Sequence, residues 1–184
     1  MKSVKSIFFA AIFTIAVPAI GYLSFGIWPA LLFLTGYLSG FLLWCCLPTH
    51  YGFKRIRTLY LLVFVLFLVH RVEEKVFGFF AELAAITKVP VPEIISWPVI
   101  VLVLLSVGGW VGSGFWFARG KAFGGYLMWT FFASLGITEL AHFVLPCFTE
   151  RPYGYFPGMA SVLLLAPVAW YGMYRLAQNN GNKF

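Results

Sequence analysis

Aspartate is absent from this 184-residue sequence, so its six acidic residues are all glutamates. Charge of either sign is scarce: Asp, Glu, Lys and Arg together make up 10% of the chain, against roughly 25% in soluble domains. A nucleotide-binding glycine loop, a Gly-x-Ser-x-Gly elbow and a Cys-x-x-Cys pair are also missing. P-loop phosphate binding, serine hydrolysis at a nucleophile elbow and dithiol exchange therefore have no residues to carry them. Only three cysteines occur. Cys45 and Cys46 adjoin one membrane face and Cys147 the other on the topology derived below, which puts a disulfide between the faces out of reach.

What is present is apolar. Hydrophobic residues form 61% of the chain, with 21 Phe, 9 Tyr and 7 Trp, a composition that suits lipid-facing helices with interfacial aromatic belts. Runs near 7–25, 29–47, 57–80, 97–118, 122–146 and 157–176 approach the ~20 residues that cross a bilayer and are bounded by Pro, Gly and charge. They show no alternation, and lipid cannot satisfy an open sheet edge. The pattern predicts an all-α integral membrane protein, one domain over residues 1–184, built as a bundle of about six transmembrane helices. Lys2 and Lys5 ahead of an apolar run ending in Val17-Pro18-Ala19 imitate a secretory signal peptide. Pro18 lies inside the would-be cleavage site, so the segment reads as the first span.

The net charge of +7 would suggest nucleic acid in a soluble protein, but here the cations sit at helix ends and read as topology signals and lipid headgroup contacts. They alternate. Lys2 and Lys5, then Lys54, Arg55 and Arg57, then Arg119 and Lys121, then Arg175 and Lys183 mark one side of the membrane. The other loops hold only Lys88 and Arg151, accompanied by Glu82, Glu93 and Glu150. Six spans in an inner or plasma membrane with both termini cytoplasmic satisfy this pattern. Gly36 and Gly40, and Gly108 and Gly112, form stripes of small residues that let helices approach closely.

The polar residues inside the spans are the chemical signal. The third span contains His70-Arg71-Val72-Glu73-Glu74-Lys75, in which His70 lies one helical turn from both Glu73 and Glu74 while Arg71 and Lys75 form an adjacent stripe. Each ionised group near the bilayer centre costs ~2.5–3.5 kcal/mol even on a mild scale, so pairing, protonation or a ligand is required. The fifth span supplies Glu139 and His142, again one turn apart, with Ser134 and Thr138 on the side of His142. Counting from the basic ends puts Glu139 level with Glu73 and Glu74, so two histidines and three glutamates can converge in the outer half of the membrane. Imidazole and carboxylate suit a divalent transition metal, Zn, Fe or Mn. The expected ligands are His70, Glu74, Glu139 and His142, with Glu73 or Glu74 as catalytic base. The bland alternative ends the third span near Val72 and leaves interfacial ion pairs. Arg151, in the outer loop, pairs with Glu150 or serves as a fork for a substrate anion.

His70-Arg71-Val72-Glu73-Glu74 resembles the motif of the HXXEE family of small integral membrane proteins. The later helix bearing His142 fits that resemblance more loosely. Arg151-Pro152-Tyr153-Gly154-Tyr155-Phe156-Pro157-Gly158 is similar to that family's arginine, tyrosine and Pro-Gly stretch, at longer spacing. The resemblance implies that His70, Glu73 and Glu74 act as a unit and implies no substrate. Four functions stay open: a metal-dependent hydrolase or oxidase acting on a lipid-like small molecule, a metal-free acid/base isomerase of a sterol-like or isoprenoid ligand, a proton or metal transporter, and a structural membrane subunit.

Overall fold

Each long apolar run folds as a helix. A computed structural model describes residues 2–50, 52–91, 93 and 95–178, and no strand occurs among them. The long elements are α1 (Val4–Phe25), α2 (Ile27–Cys46), α3 (Phe53–Val76), α5 (Trp97–Ala118), α6 (Ala122–Ile137) and α8 (Met159–Ala177). Between them lie the short α4 (Phe79–Thr87) and the one-turn α7 (Ala141–Val144). Five segments are long and apolar enough to cross a membrane: α1, α2, α5, the stretch Ala122–Phe148 and α8. The sixth expected span, α3, has 24 residues, about 36 Å of helix, with basic residues in its first turns and Arg71, Glu73, Glu74 and Lys75 in its last.

Two of the expected boundaries shift. The helix expected over 57–80 stops at Val76 because Gly78 takes the left-handed conformation (φ 76°), and the chain restarts as α4. The helix expected over 122–146 is α-helical only to Ile137. It then tightens into a 3₁₀ turn at Thr138–Leu140, recovers as α7, and ends in a second 3₁₀ turn at Leu145–Phe148. At this break the Trp170 indole donates to the Gly136 carbonyl (2.5 Å).

α6 occupies the centre. Every residue from Gly124 to Gly136 is buried, as expected of a helix apolar on all sides, and it packs against α2, α5 and α8. Lipid is as apolar as leucine, so close packing holds such helices together. A Cβ on Gly40 would lie 2.5 Å from the Thr130 Cα, and one on Gly36 would lie 2.5 Å from the Ser134 and Thr138 hydroxyls. The α2–α6 crossing thus depends on both glycines. The Gly108 and Gly112 stripe has no such partner: nothing lies within 4 Å of a Cβ on Gly108, and Gly112 meets Trp116 of its own helix. Thr138 Oγ1 donates to the Leu32 carbonyl (3.3 Å), so Ser134 and Thr138 serve the α2 contact.

α3 buries Ile56, Tyr60, Val63, Phe67, His70 and Glu74, a stripe advancing by alternating steps of four and three residues. Its opposite side exposes Leu61, Leu62, Val65, Leu68, Val69, Val72 and Val76, which suits lipid. The basic segments gather at one end of the bundle. Lys2 Nζ donates to the Cys45 and Leu47 carbonyls (3.1 Å each), and Arg55 donates to Gln178 Oε1 (2.8 Å). Lys183, the last cation of the pattern, lies outside the described residues.

Candidate metal centre

The inward stripe of α3 brings His70 and Glu74 to the broken end of the sixth helix, where Glu139 stands on the 3₁₀ turn and His142 on α7. His70, Glu74 and His142 are buried, and Glu139 is 13% exposed. One ligand atom from each of the four lies within 4.8 Å of all the others. The imidazole rings meet edge to face with centroids 4.8 Å apart.

Hydrogen bonds around the cluster engage the Nδ1 atom of each imidazole. His142 Nδ1 lies 2.6 Å from the Pro157 carbonyl, which can only accept, so Nδ1 carries the proton. The Ser161 hydroxyl donates to the Gly158 carbonyl (3.1 Å) and accepts from His70 Nδ1 (2.8 Å). Each imidazole turns its Nε2 inward, and in the neutral form with the proton on Nδ1 that atom presents a lone pair. His70 Nε2 faces Glu74 Oε1 at 3.5 Å and Glu139 Oε2 at 3.2 Å, and His142 Nε2 faces both of those oxygens at 3.3 Å. Glu74 Oε1 is buried and has no hydrogen-bond donor. Four acceptors thus point at one another, an arrangement that repels unless a cation or protons lie between them.

The dimensions match an ion. Nitrogen and oxygen ligands at about 2.0–2.1 Å from a tetrahedral centre are separated by about 3.3–3.4 Å. Four of the six pairwise separations, the N···O ones at 3.2–3.5 Å, bracket that value, and all six lie within 4.8 Å. Arg71 holds the outer oxygens: Nη1 lies 2.8 Å from Glu74 Oε2 and Nη2 lies 3.3 Å from Glu139 Oε1. With neutral imidazoles, two carboxylates and one guanidinium leave a net charge of about −1 in a largely buried cluster, which favours a bound cation.

Gly158 closes the opposite side. Its φ of 98° suits glycine, and a Cβ there would lie 2.5 Å from His142 Cε1 and Nδ1 and 2.8 Å from His70 Cε1. Phe79 of α4 covers His142 at a centroid distance of 4.9 Å.

Of the residues singled out in the sequence, the structure brings together His70, Glu74, Glu139 and His142. Glu73 lies outside the cluster. Its carboxylate accepts from the Ala160 and Ser161 backbone N–H groups (3.0 and 2.8 Å) and from the Tyr155 hydroxyl (2.6 Å), so it caps α8 from across the bundle. Partial burial of the Tyr155 hydroxyl and the adjacent Glu73 carboxylate push that phenol up to about 12, so it remains a donor at neutral pH. Arg151 is paired, but with Glu82 of α4 and not with the neighbouring Glu150, because the outer loop folds against α4. Arg71, Ser161 and Gly158 also shape the site, although their sequence pattern carries no direct sign of it. Arg71 is adjacent to the His70 stripe and could be found from it. The other two reach the site only through the fold of the loop before α8. No family model, curated protein or solved structure matches this chain.

Proposed function

We propose that this chain is a membrane metalloprotein, related to the HXXEE family, in which His70, Glu74, Glu139 and His142 hold one divalent transition-metal ion. We further propose that it catalyses hydrolysis or oxidation of a lipid-like molecule arriving from the bilayer. The supporting observation is the inward convergence of two imidazole Nε2 atoms and two carboxylate oxygens within 4.8 Å of one another, one of those oxygens having no hydrogen-bond partner. A proton on one imidazole would neutralise the cluster, yet would leave the other Nε2 facing two carboxylate oxygens.

An ion at this site would supply Lewis acidity and an activated water or oxygen species. The protein groups do the rest. Ser161 and the Pro157 carbonyl fix the imidazoles, Arg71 holds each carboxylate to a single inward oxygen, and Phe79 keeps water from His142. Glu139, the most exposed of the four, is the cluster carboxylate nearest to solvent, and its outer oxygen, held by Arg71 at 3.3 Å, is the one open to a proton from an incoming molecule.

Elemental analysis of tag-free, detergent-purified protein tests the reading. Wild type should carry about one equivalent of Zn, Fe or Mn, and a folded His70→Ala, His142→Ala double variant should carry none. Wild-type protein that stays metal-free after supplementation would sink the proposal in favour of proton chemistry.

A further inference from the structure

A second polar site lies at the same end of the bundle as the candidate centre, on the other side of α4. Here α4 and the segment around 148–151 enclose a groove of about 500 Å³. Its walls carry two carboxylates, Glu82 and Glu150, and two cations, Lys88 and Arg151, above apolar contacts from Ile86 and Phe148. Only Glu82 and Arg151 are joined, and among the described residues neither Lys88 nor Glu150 has an ion-pair partner. Lys88 ends α4 with φ 59°, the only non-glycine residue among those described with a positive φ. Glycine or asparagine suits that position better, so a lysine there carries an ammonium to the groove wall at a conformational cost.

The charge pattern selects the occupant. A simple anion would meet two carboxylates and a simple cation two basic groups, whereas a zwitterion satisfies both pairs. Lys88 and the guanidinium donors that Arg151 does not direct at Glu82 suit a phosphate, and Glu150 suits an ammonium. A quaternary ammonium prefers an aromatic cage, and the groove offers Phe148 alone, so a primary ammonium is favoured. The groove also carries lipid-suited surface of its own: Phe148, in its wall, is 65% exposed. From these observations we propose that the groove binds the headgroup of a phosphoethanolamine-bearing lipid. As a binding site this assignment stands independently of the metal reading above.

The test is native mass spectrometry of the full-length, delipidated protein with phosphatidylethanolamine, phosphatidylcholine and phosphatidylglycerol of matched acyl chains, with metal content measured on the same samples. Soluble phosphoethanolamine is the competitor. Wild type should retain phosphatidylethanolamine about tenfold over the other two, the change expected when one charge-assisted contact is lost. Lys88→Gln and Glu150→Gln should each abolish the preference without altering metal content or Tm, and the soluble competitor at equal concentration should not displace the lipid. Equal retention of the three lipids, preference for phosphatidylglycerol, a preference that survives both variants, or binding of soluble phosphoethanolamine without the lipid would each overturn the proposal. A metal-free protein with an intact lipid preference removes the metal reading and keeps the groove, and a metal-loaded protein without preference does the reverse.

Discussion

At the residue scale, Gly158 and Ser161 control the cluster without entering it. An alanine at 158 must place its Cβ against both imidazoles and adopt a left-handed backbone, and the rings are fixed by neighbours that cannot retreat. Gly158→Ala should therefore lose the metal and cost about 1–3 kcal/mol of stability, combining backbone strain with displacement of the rings. Metal analysis with thermal unfolding checks both parts, and a fully loaded variant of wild-type Tm would contradict the geometry. Ser161→Ala is gentler. It leaves the backbone N–H that Glu73 accepts and removes only the acceptor of His70 Nδ1–H. The ring then loses its fixed tautomer, and metal affinity measured against a chelator of known strength should fall about 10–100-fold. Unchanged affinity would mean that His70 is oriented by packing alone.

At the scale of the element, Glu73 and Glu74 are adjacent in sequence and have opposite destinations. Glu74 continues the buried stripe of Ile56, Tyr60, Val63, Phe67 and His70, whereas Glu73 is turned one position away, toward α8. α8 has Gly158 at its N-cap and no side-chain cap of its own, so the carboxylate of α3 takes its free amides. Glu73→Gln should lower stability by about 1 kcal/mol through loss of a charged cap while leaving metal content at the wild-type level. Glu74→Gln should lose the metal. Equal effects of the two substitutions on metal content would contradict this division of roles. The grouping of His70 with Glu74 was legible in the sequence, but one-turn spacing from His70 grouped Glu73 with them as well, and only the packing of α3 against α8 separates the two glutamates. Glu139 and His142 were legible as a pair one turn apart. The break at 138–140 was not, because no glycine or proline stands within it and the turn is held by contacts from α2 and α8. The approach of Gly158 was equally hidden, since a loop contact across the bundle leaves no local periodic signal.

At the scale of the molecule, the candidate centre and the basic loops lie at opposite ends. The cluster stands near the C-terminal end of α3 and the N-terminal end of α8, whereas Lys2, Lys54, Arg55, Arg119, Lys121 and Arg175 flank the other ends of the helices. By the positive-inside rule we propose that the basic end faces the cytoplasm and the cluster the outer leaflet. Two exposed cysteines report on this directly: Cys46 closes α2 at the basic end, and Cys147 lies in the last turn of the 122–148 segment at the other. In intact cells carrying a Cys45→Ser background, a membrane-impermeant maleimide should label Cys147 and spare Cys46. Inverted vesicles should reverse the pattern. Labelling of Cys46 from outside would invert the topology and place the His–Glu cluster toward the cytoplasmic leaflet, exposing it to a different pool of lipids and metal ions while leaving its internal geometry unchanged.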